Sequence, residues 1–250
     1  LIMNKDIITI ARVLDLLKKG FNREKLIDSF VSINKEVWVP PFPQEIMWTH
    51  NSVDQIFSTC AELQYCALMN NKVVATLSMI YIDDIEAEKC TSWEQISGLG
   101  TLSTHKKNGN SLFGIDLSVS SKVKVQGVSD MLMEKAFIIS VILSNKKGAY
   151  LGSRIPRYYK NASTPIEEYV LGKYRNGKTR DPEVKLYQSV GFKIVKIIPN
   201  YIEDPESLNY GVLMFWENPY YKFTKNLPLL PIKEIVKKFV FKVPRIKKSA

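Results

Sequence analysis

The sequence has few of the residues that indicate a disulfide-rich, metal-binding or membrane-spanning protein. Its 250 residues contain three cysteines and two histidines, and the cysteines, odd in number, lack the spacing of a zinc site. We therefore expect no metal centre and a reduced compartment, the cytoplasm, because disulfide scaffolds belong mainly to secreted proteins. No apolar run is long enough to cross a bilayer, and no internal repeat is visible. The cysteines are Cys60, Cys66 and Cys90.

Positive charge is in excess, since 35 Lys and Arg against 25 Asp and Glu leave a formal net charge of +10. Such a surface attracts anions, and charge alone does not choose among a polyphosphate cofactor, an acidic protein, nucleic acid and lipid. With 45% apolar residues the chain can bury one sizeable core, so we expect one domain over residues 1–217. Residues 218–250 shift towards Pro and Lys, which predicts a linker or a strap across the surface. Because the chain opens on Leu1 rather than methionine, we expect it to be part of a larger protein.

Hydrophobic periodicity in the first half of the chain predicts helices followed by a hairpin. Asn22 is a suitable N-cap for the second helix. The polar stretch of residues 83–110 predicts a long loop, and long ordered loops in compact domains are often functional. The predicted helices are residues 7–19, 23–31 and 52–63, and the predicted hairpin strands are residues 65–69 and 73–80, joined by an asparagine turn.

The stretch from Leu112 to Leu151 predicts a strand, a turn, a long helix and a second strand. Gly127 and Ser129 lie where the helix begins, so several backbone N–H groups there have no intrahelical acceptor and point along the positive end of the helix dipole. Such an end can bind a phosphate or a pyrophosphate. The alternative is an ordinary structural cap.

Further on, the sequence predicts two more helices and two more strands. Thr164-Pro165 marks a helix start, and that helix ends within residues 172–177. A second helix begins at Asp181 and ends before Gly191-Phe192. The two strands that follow are residues 193–198 and 210–216.

These motifs resemble the GNAT acyltransferase superfamily. There the strand is followed by Gln/Arg-x-x-Gly-x-Gly/Ala, whose amides hold the coenzyme A pyrophosphate. Lys124, Gly127 and Ser129 stand at the three specified positions, with Lys in place of Gln/Arg and Ser in place of Gly/Ala. Val119 falls at the end of the strand along which the pantetheine lies. The resemblance therefore implies acyl-CoA as substrate, without a metal, and these cofactor-binding residues: Val119, Lys124, Val125, Gln126, Gly127, Val128, Ser129 and Asp130.

The helix from Asp181 carries Leu186-Tyr187-x-x-x-Gly191-Phe192, which is similar to the last helix of that superfamily. The resemblance implies an α/β GNAT fold, with a mixed, mainly antiparallel sheet splayed at the fourth and fifth strands and flanked by helices. It also implies a catalytic acid at Tyr187, the position that supplies this acid in many N-acetyltransferases.

Segments across residues 91–219 are similar to a narrower branch, which includes GNAT-like loading domains of modular polyketide synthases and GNAT domains attached to carbon-nitrogen hydrolases. The loading domains decarboxylate malonyl-CoA or methylmalonyl-CoA, or accept an acyl group. They place the product on the phosphopantetheine thiol of an acyl carrier protein. A histidine and a threonine in the cleft are implicated, which implies catalytic roles for His105 and Thr76.

Two other functions stay open. Tyr187 favours an N-acetyltransferase that uses acetyl-CoA on an amine, whereas Lys124 and Ser129 in the phosphate turn favour a catalytically degenerate binding module. Each catalytic candidate also has an ordinary structural role: His105 as a loop residue, Thr76 as a strand former and Tyr187 as a packed ring. The expected partners are acyl-CoA and an acyl carrier protein, with neither nucleic acid nor a membrane.

Overall fold

The computed structural model describes residues 8–172 and 176–221, which form a seven-stranded sheet flanked by helices. The strands are Ile8–Arg12 (β1), Gln64–Met69 (β2), Lys72–Ile82 (β3), Ser111–Val119 (β4), Gly148–Arg154 (β5), Lys193–Ile198 (β6) and Gly211–Glu217 (β7). The helices are Val13–Lys18 (α1), Arg23–Val37 (α2), His50–Cys60 (α3), Asp84–Glu88 (α4), Trp93–Ser97 (α5), Val128–Phe137 (α6), Ile166–Leu171 (α7) and Pro182–Ser189 (α8).

The sheet is mixed and mainly antiparallel, as predicted. Its strand order is β1-β2-β3-β4-β5-β7-β6, and the β4–β5 pair is the parallel one. The predicted asparagine turn between β2 and β3 is confirmed, with Asn70 and Asn71 at φ 51° and 61°. Two successive residues with positive φ suit the right-handed twist of a tight hairpin.

Residues 8–12 form a strand where the helical periodicity predicted a helix from residue 7. They pair antiparallel with β2, Ile8 opposite Met69 and Arg12 opposite Tyr65, and the helix begins only at Val13. The prediction was wrong here because the free edge of β2 supplies backbone partners, and a tertiary pairing of this kind overrides a short local pattern. The predicted loop of residues 83–110 contains the short helices α4 and α5.

Helices α2 and α6 cover opposite faces of the sheet. The indole of Trp38, just after α2, donates to Asp116 on β4 at 2.8 Å. Asp116 stands opposite Ser78 on β3, so the even-numbered residues of β3 face α2. The hydroxyl of Tyr81, an odd-numbered residue of β3, donates instead to the Ser140 carbonyl in the π-helical turn that continues α6, at 3.0 Å. A ligand lying in a gap in the sheet would therefore contact residues of both helical layers.

The predicted boundary between a domain and a C-terminal linker stays a prediction. Of residues 218–250, residues 222–250 lie outside the described residues. Within residues 8–172 and 176–221, none of the helices has both the length and the apolar composition needed to cross a bilayer.

Candidate active site

Strands β4 and β5 separate part-way along their length. Their parallel pairing joins residues 112–114 to residues 149–151. Beyond that point residues 116–119 stay paired with β3, and residues 152–154 stay paired with β7. Each strand thus keeps its outer neighbour while the inner edges part, which confirms the splayed sheet and opens a gap.

A β-bulge marks the place where the strands part. Ser78 of β3 pairs with Asp116 and Met79 pairs with Gly114, so Ile115 is an extra residue on β4. Its carbonyl accepts a hydrogen bond from the Trp93 indole at 3.2 Å. Bulges turn a strand and are common beside active sites.

A small cavity lies where the two strands part. It is bounded by the end of α2 and the segment after it, by Trp93, by the parting ends of β4 and β5, and by the connection from β6 to β7. Its walls are mostly aromatic and aliphatic, with two charged side chains, and such concave apolar sites with few polar groups are typical of ligand pockets. The lining residues are Asn34, Trp38, Phe42, Ile46, Met47, Trp48, Trp93, Ile115, Asp116, Gly152, Arg154, Tyr201 and Ile202.

Asp116 contributes a carboxylate to the lining of this cavity. One of its oxygens accepts from the Trp38 indole at 2.8 Å, and the Ser118 hydroxyl donates to the other at 3.0 Å. Burial raises the pKa of Asp116 to about 6, although both hydrogen bonds work in the opposite direction. A carboxyl group with this pKa can take up a proton near neutral pH.

Arg154, at the end of β5, is the second charged residue of the cavity. Its guanidinium binds both carboxylate oxygens of Asp204, at 2.7 and 2.9 Å, and reaches Glu206 at 3.2 Å. The same group lies over the rings of Trp38 and Phe42, 5.1 and 5.4 Å from their centroids. Arg154 is thus held by the forked pairing with Asp204 and by two aromatic faces.

The turn before α6 is open to solvent, as a phosphate site requires. Gly127 is the N-cap with φ 80°, and Lys124, Gln126 and Gly127 are exposed. Within the described part of the chain, the backbone N–H groups of residues 124–130 donate to no protein acceptor. These amides are therefore free to bind an anion at the positive end of the α6 dipole.

The structure does not bring Thr76 and His105 together. Thr76 is fully buried on β3 opposite Ser118, and among the described residues its hydroxyl has no hydrogen-bond partner. His105 accepts the Tyr81 N–H on Nδ1 at 3.1 Å. Tyr81 is five residues from Thr76 along β3, which is about 17 Å in a strand. Burial lowers the pKa of His105, and neither residue lines the cavity.

Tyr187 lies on α8 and is not among the residues that line the cavity. Its ring packs edge-on against Phe192 at 5.7 Å between centroids. Burial, and next the nearby Glu183 carboxylate, raise the pKa of Tyr187. Burial first, and then neighbouring groups that include Tyr187, raise the pKa of Tyr201, which lines the cavity. The Tyr187 hydroxyl therefore stays protonated at neutral pH.

Sequence reasoning missed Asp116 and Trp38 as residues of the site. Asp116 had a detectable signal, because an acidic residue stands in the middle of the apolar strand LFGIDLSV. Trp38 had none, since an aromatic residue after a helix is ordinary. The guanidinium of Arg154 is paired with a carboxylate of the same chain, that of Asp204.

The chain is similar in sequence to two curated proteins of Bacillus subtilis (strain 168). An uncharacterized N-acetyltransferase, YkwB, is 31% identical over 198 residues, which cover 78% of this chain and 86% of that protein. A probable hydrolase, YhcX, is 28% identical over 203 residues, which cover 79% of this chain and 38% of that protein. No protein-family model matches the chain.

Solved structures share the fold. The loading GNATL domain of CurA from Lyngbya majuscula superposes with a TM-score of 0.67 at 17% identity, covering 86% of this chain and 98% of that one. The GphF GNAT-like decarboxylase in complex with isobutyryl-CoA superposes with a TM-score of 0.65 at 20% identity, covering 84% and 98%. The split sheet and these comparisons define an α/β acyltransferase fold. The chain belongs to the GNAT superfamily.

Proposed function

We propose that the protein transfers the acyl group of an acyl-CoA to a nucleophile that enters the cavity beside Asp116. The observation that carries the proposal is the gap between β4 and β5. The open helix start of α6 follows one of the parting strands, and the aromatic cavity lined by the Asp116 carboxylate lies at the gap itself.

Acyl-CoA binding is assigned to the turn and to the end of β4. The amides of residues 124–130 would hold the diphosphate, and Lys124 would add a positive charge beside it. Val119, at the end of β4, lies where the pantetheine would run along the unpaired strand edge. The free amides and the exposure of the turn support this assignment.

Asp116 and Tyr187 then divide the proton transfers between them. As the nucleophile attacks the thioester carbon, Asp116 accepts its proton, and the bond between that carbon and sulfur breaks. Tyr187 donates a proton to the departing CoA thiolate, a role that its raised pKa permits because the phenol is protonated beforehand.

A carrier-protein thiol is the nucleophile that the narrower sequence resemblance favours. In that case the protein loads an acyl carrier protein, and loss of CO₂ from malonyl-CoA or methylmalonyl-CoA precedes the transfer. Decarboxylation creates an enolate that needs donors at the thioester oxygen, and His105 and Thr76 are the residues proposed for it. His105 contacts Tyr81, which lies about 17 Å from Thr76 along β3, so we expect one thioester oxygen to contact at most one of the two side chains.

An amine is the second candidate, and Asp116 favours it. A protonated amine must lose a proton before it attacks, and a carboxylate with a pKa near 6 in an aromatic cavity attracts the ammonium and accepts that proton. Tyr187 fits this reaction equally well. YkwB, the 31% identical relative, is named as an N-acetyltransferase.

Product analysis separates these functions. The protein is incubated with acetyl-, malonyl- and methylmalonyl-CoA, each with a holo carrier protein or with a panel of amines, and products are followed by intact-protein and small-molecule mass spectrometry. A mass gain on the carrier protein supports loading, and a gain lighter by CO₂ adds decarboxylation. Acylated amines alone support the amine reaction. CoA binding without any turnover would overturn the enzymatic proposal in favour of a degenerate binding module.

A further inference from the structure

Glu36, in the last turn of α2, reaches across to the segment that leaves β4. Its Oε1 accepts three hydrogen bonds: from the Ser120 hydroxyl at 2.8 Å, from the Ser121 N–H at 2.9 Å and from the Ser121 hydroxyl at 2.7 Å. The ammonium of Lys122 is 3.6 Å from the other oxygen. Three donors on one carboxylate oxygen hold it more firmly than an ordinary surface contact would.

This anchor lies at the start of the turn that ends in Gly127. Ser120 also donates its N–H to the Val74 carbonyl at 3.0 Å and accepts from the Val123 N–H at 3.1 Å. From residue 124 to Gly127, the described backbone makes no hydrogen bond to the rest of the protein through its N–H groups. The hydrogen bonds that position this turn are therefore concentrated at residues 120–123, and Glu36 makes most of those formed by side chains.

We propose that Glu36 is a positioning residue for the acyl-CoA diphosphate: it holds the end of β4 so that the amides of residues 124–130 converge on one anion. This inference rests on the proposed function of the turn. Trp38, two residues further along, donates to Asp116. The end of α2 thus contacts both the phosphate turn and the carboxylate of the cavity.

The sign of the effect distinguishes positioning from plain electrostatics. A carboxylate near a diphosphate repels it through space, so its removal by itself would tighten CoA binding. Positioning predicts the reverse, because the turn loses its anchor. The hydrogen bonds from Ser121 and Ser120 lower the pKa of Glu36, so the carboxylate is charged at neutral pH and both effects are present together.

The test compares Glu36→Ala and Glu36→Gln with wild type, and uses Glu24→Gln as a matched control. Glu24 lies at the other end of α2, and its replacement by glutamine removes the same charge. Its side chain makes only an exposed contact with His50. Affinity for CoA is measured by calorimetry, and KM and kcat are measured with the acyl-CoA and acceptor that turn over. We expect the dissociation constant for CoA and the KM for acyl-CoA to rise roughly tenfold in Glu36→Ala and less in Glu36→Gln, which keeps an acceptor oxygen.

A purely structural role would not give this pattern. Positioning leaves kcat and the KM for the acceptor within about twofold of wild type, since Asp116 keeps its own partners. Equal losses in CoA affinity, in kcat and in the KM for the acceptor, unchanged CoA affinity, or tighter CoA binding would each overturn the inference while leaving the proposed function intact. If the wild-type protein itself does not bind CoA, the proposed function fails and this inference fails with it.

Discussion

At the scale of single residues, the chemistry proposed for the cavity depends on the carboxylate of Asp116, which lies inside a mostly apolar strand. Burying a charged carboxylate is costly unless donors surround it. Trp38 and Ser118 supply two such donors, yet burial still dominates and raises the pKa of Asp116 to about 6. The chain thus keeps a proton acceptor with a pKa close to neutrality where the sheet opens, and it does so with side chains from β4 and from the residue that follows α2.

Replacing Asp116 with asparagine should remove the proton acceptor and preserve the shape of the site. We expect kcat/KM to fall by roughly a hundredfold, the usual size of a general-base contribution. In the wild type, kcat/KM should rise as the pH increases through about 6, because Asp116 acts only when deprotonated. That rise should be absent from the pH–rate profile of Asp116→Asn.

The control is Asp28→Asn, which removes the same charge from an exposed position of α2. It should behave as wild type at every pH. If Asp116→Asn kept the wild-type pH profile, Asp116 would not be the base.

Arg154→Ala should destabilise the protein, because it leaves the almost fully buried Asp204 carboxylate without its partner. Breaking a buried pair of this kind costs about 3 kcal/mol in the free energy of unfolding. Burial by itself would raise the pKa of Asp204, but the hydrogen bonds from Arg154 keep it below its usual value. The pair therefore stabilises the wild type above the pKa of an unfolded aspartate, and this stability is lost as the pH falls through the folded pKa.

Urea denaturation at pH 7 and at roughly pH 4 measures this effect. The deficit of Arg154→Ala should be smaller at the lower pH, where the isolated carboxyl takes up a proton. The exposed Arg157→Ala is the matched control and should leave the free energy of unfolding within about 0.5 kcal/mol of wild type. An equal effect of the two variants would contradict the assignment of a buried pair.

At the scale of elements, the site is made by places where regular structure is interrupted. The bulge at Ile115 turns β4, and the strands part beyond it. The left-handed cap at Gly127 begins α6 with its amides exposed. An uninterrupted β4 would leave the sheet closed, and a side-chain cap on α6 would occupy its free amides. These two interruptions therefore define where a thioester can enter.

Gly127→Ala should weaken acyl-CoA binding more than it weakens the fold. A residue with a Cβ at φ 80° costs about 1 kcal/mol, and relief of that strain would rotate the amides that face the anion. We expect the KM for acyl-CoA to rise severalfold with little change in kcat. Gly20→Ala is the matched control, since Gly20 has φ 84° and open space around it but closes α1, away from the cleft.

Both variants should lose similar free energy of unfolding, measured by urea denaturation, because their backbone strain is similar. Only Gly127→Ala should change the KM. Equal KM values in the two variants would contradict the role of the turn.

At the scale of the whole molecule, the sheet has a layer of helices on each face, and the gap passes between the layers. The turn before α6 lies on one side of the gap between β4 and β5. On the other side lie Trp38, Asp116 and Arg154. The anionic part of a ligand can therefore bind at the turn before α6 while its reacting part lies in the cavity. The net charge of +10 favours approach of the anionic part.

Salt should therefore slow the encounter with acyl-CoA and leave the chemical step unchanged. We expect kcat/KM for acyl-CoA to fall as KCl is raised from 0.02 to roughly 0.5 M, while kcat stays constant, because exposed charges are screened within a few ångströms at high ionic strength. An acyl-pantetheine without phosphate groups serves as the control substrate and should show no such dependence. A salt effect of the same size on both substrates would mean that the charge does not act through the phosphates.

Local patterns predicted most of the elements correctly. Asn22 caps α2 with a hydrogen bond from the Lys25 N–H at 2.9 Å, and Asp181 caps α8 in the same way. These elements were predictable because a cap, a turn and an amphipathic face depend on residues within a few positions of one another. The first strand was not predictable, since its stability comes from an edge of β2 more than fifty residues away.

The sequence by itself determined most of the elements and their order, the charge of the chain and the motifs that resemble a coenzyme A turn, because each is a property of neighbouring residues. Only the tertiary structure decided which polar residues share a site. It placed Trp38 against Asp116, 78 residues apart, and separated Thr76 from His105. Such side-chain contacts depend on the strand register and on the point where two strands part. Both arise from long-range pairing that no local pattern contains.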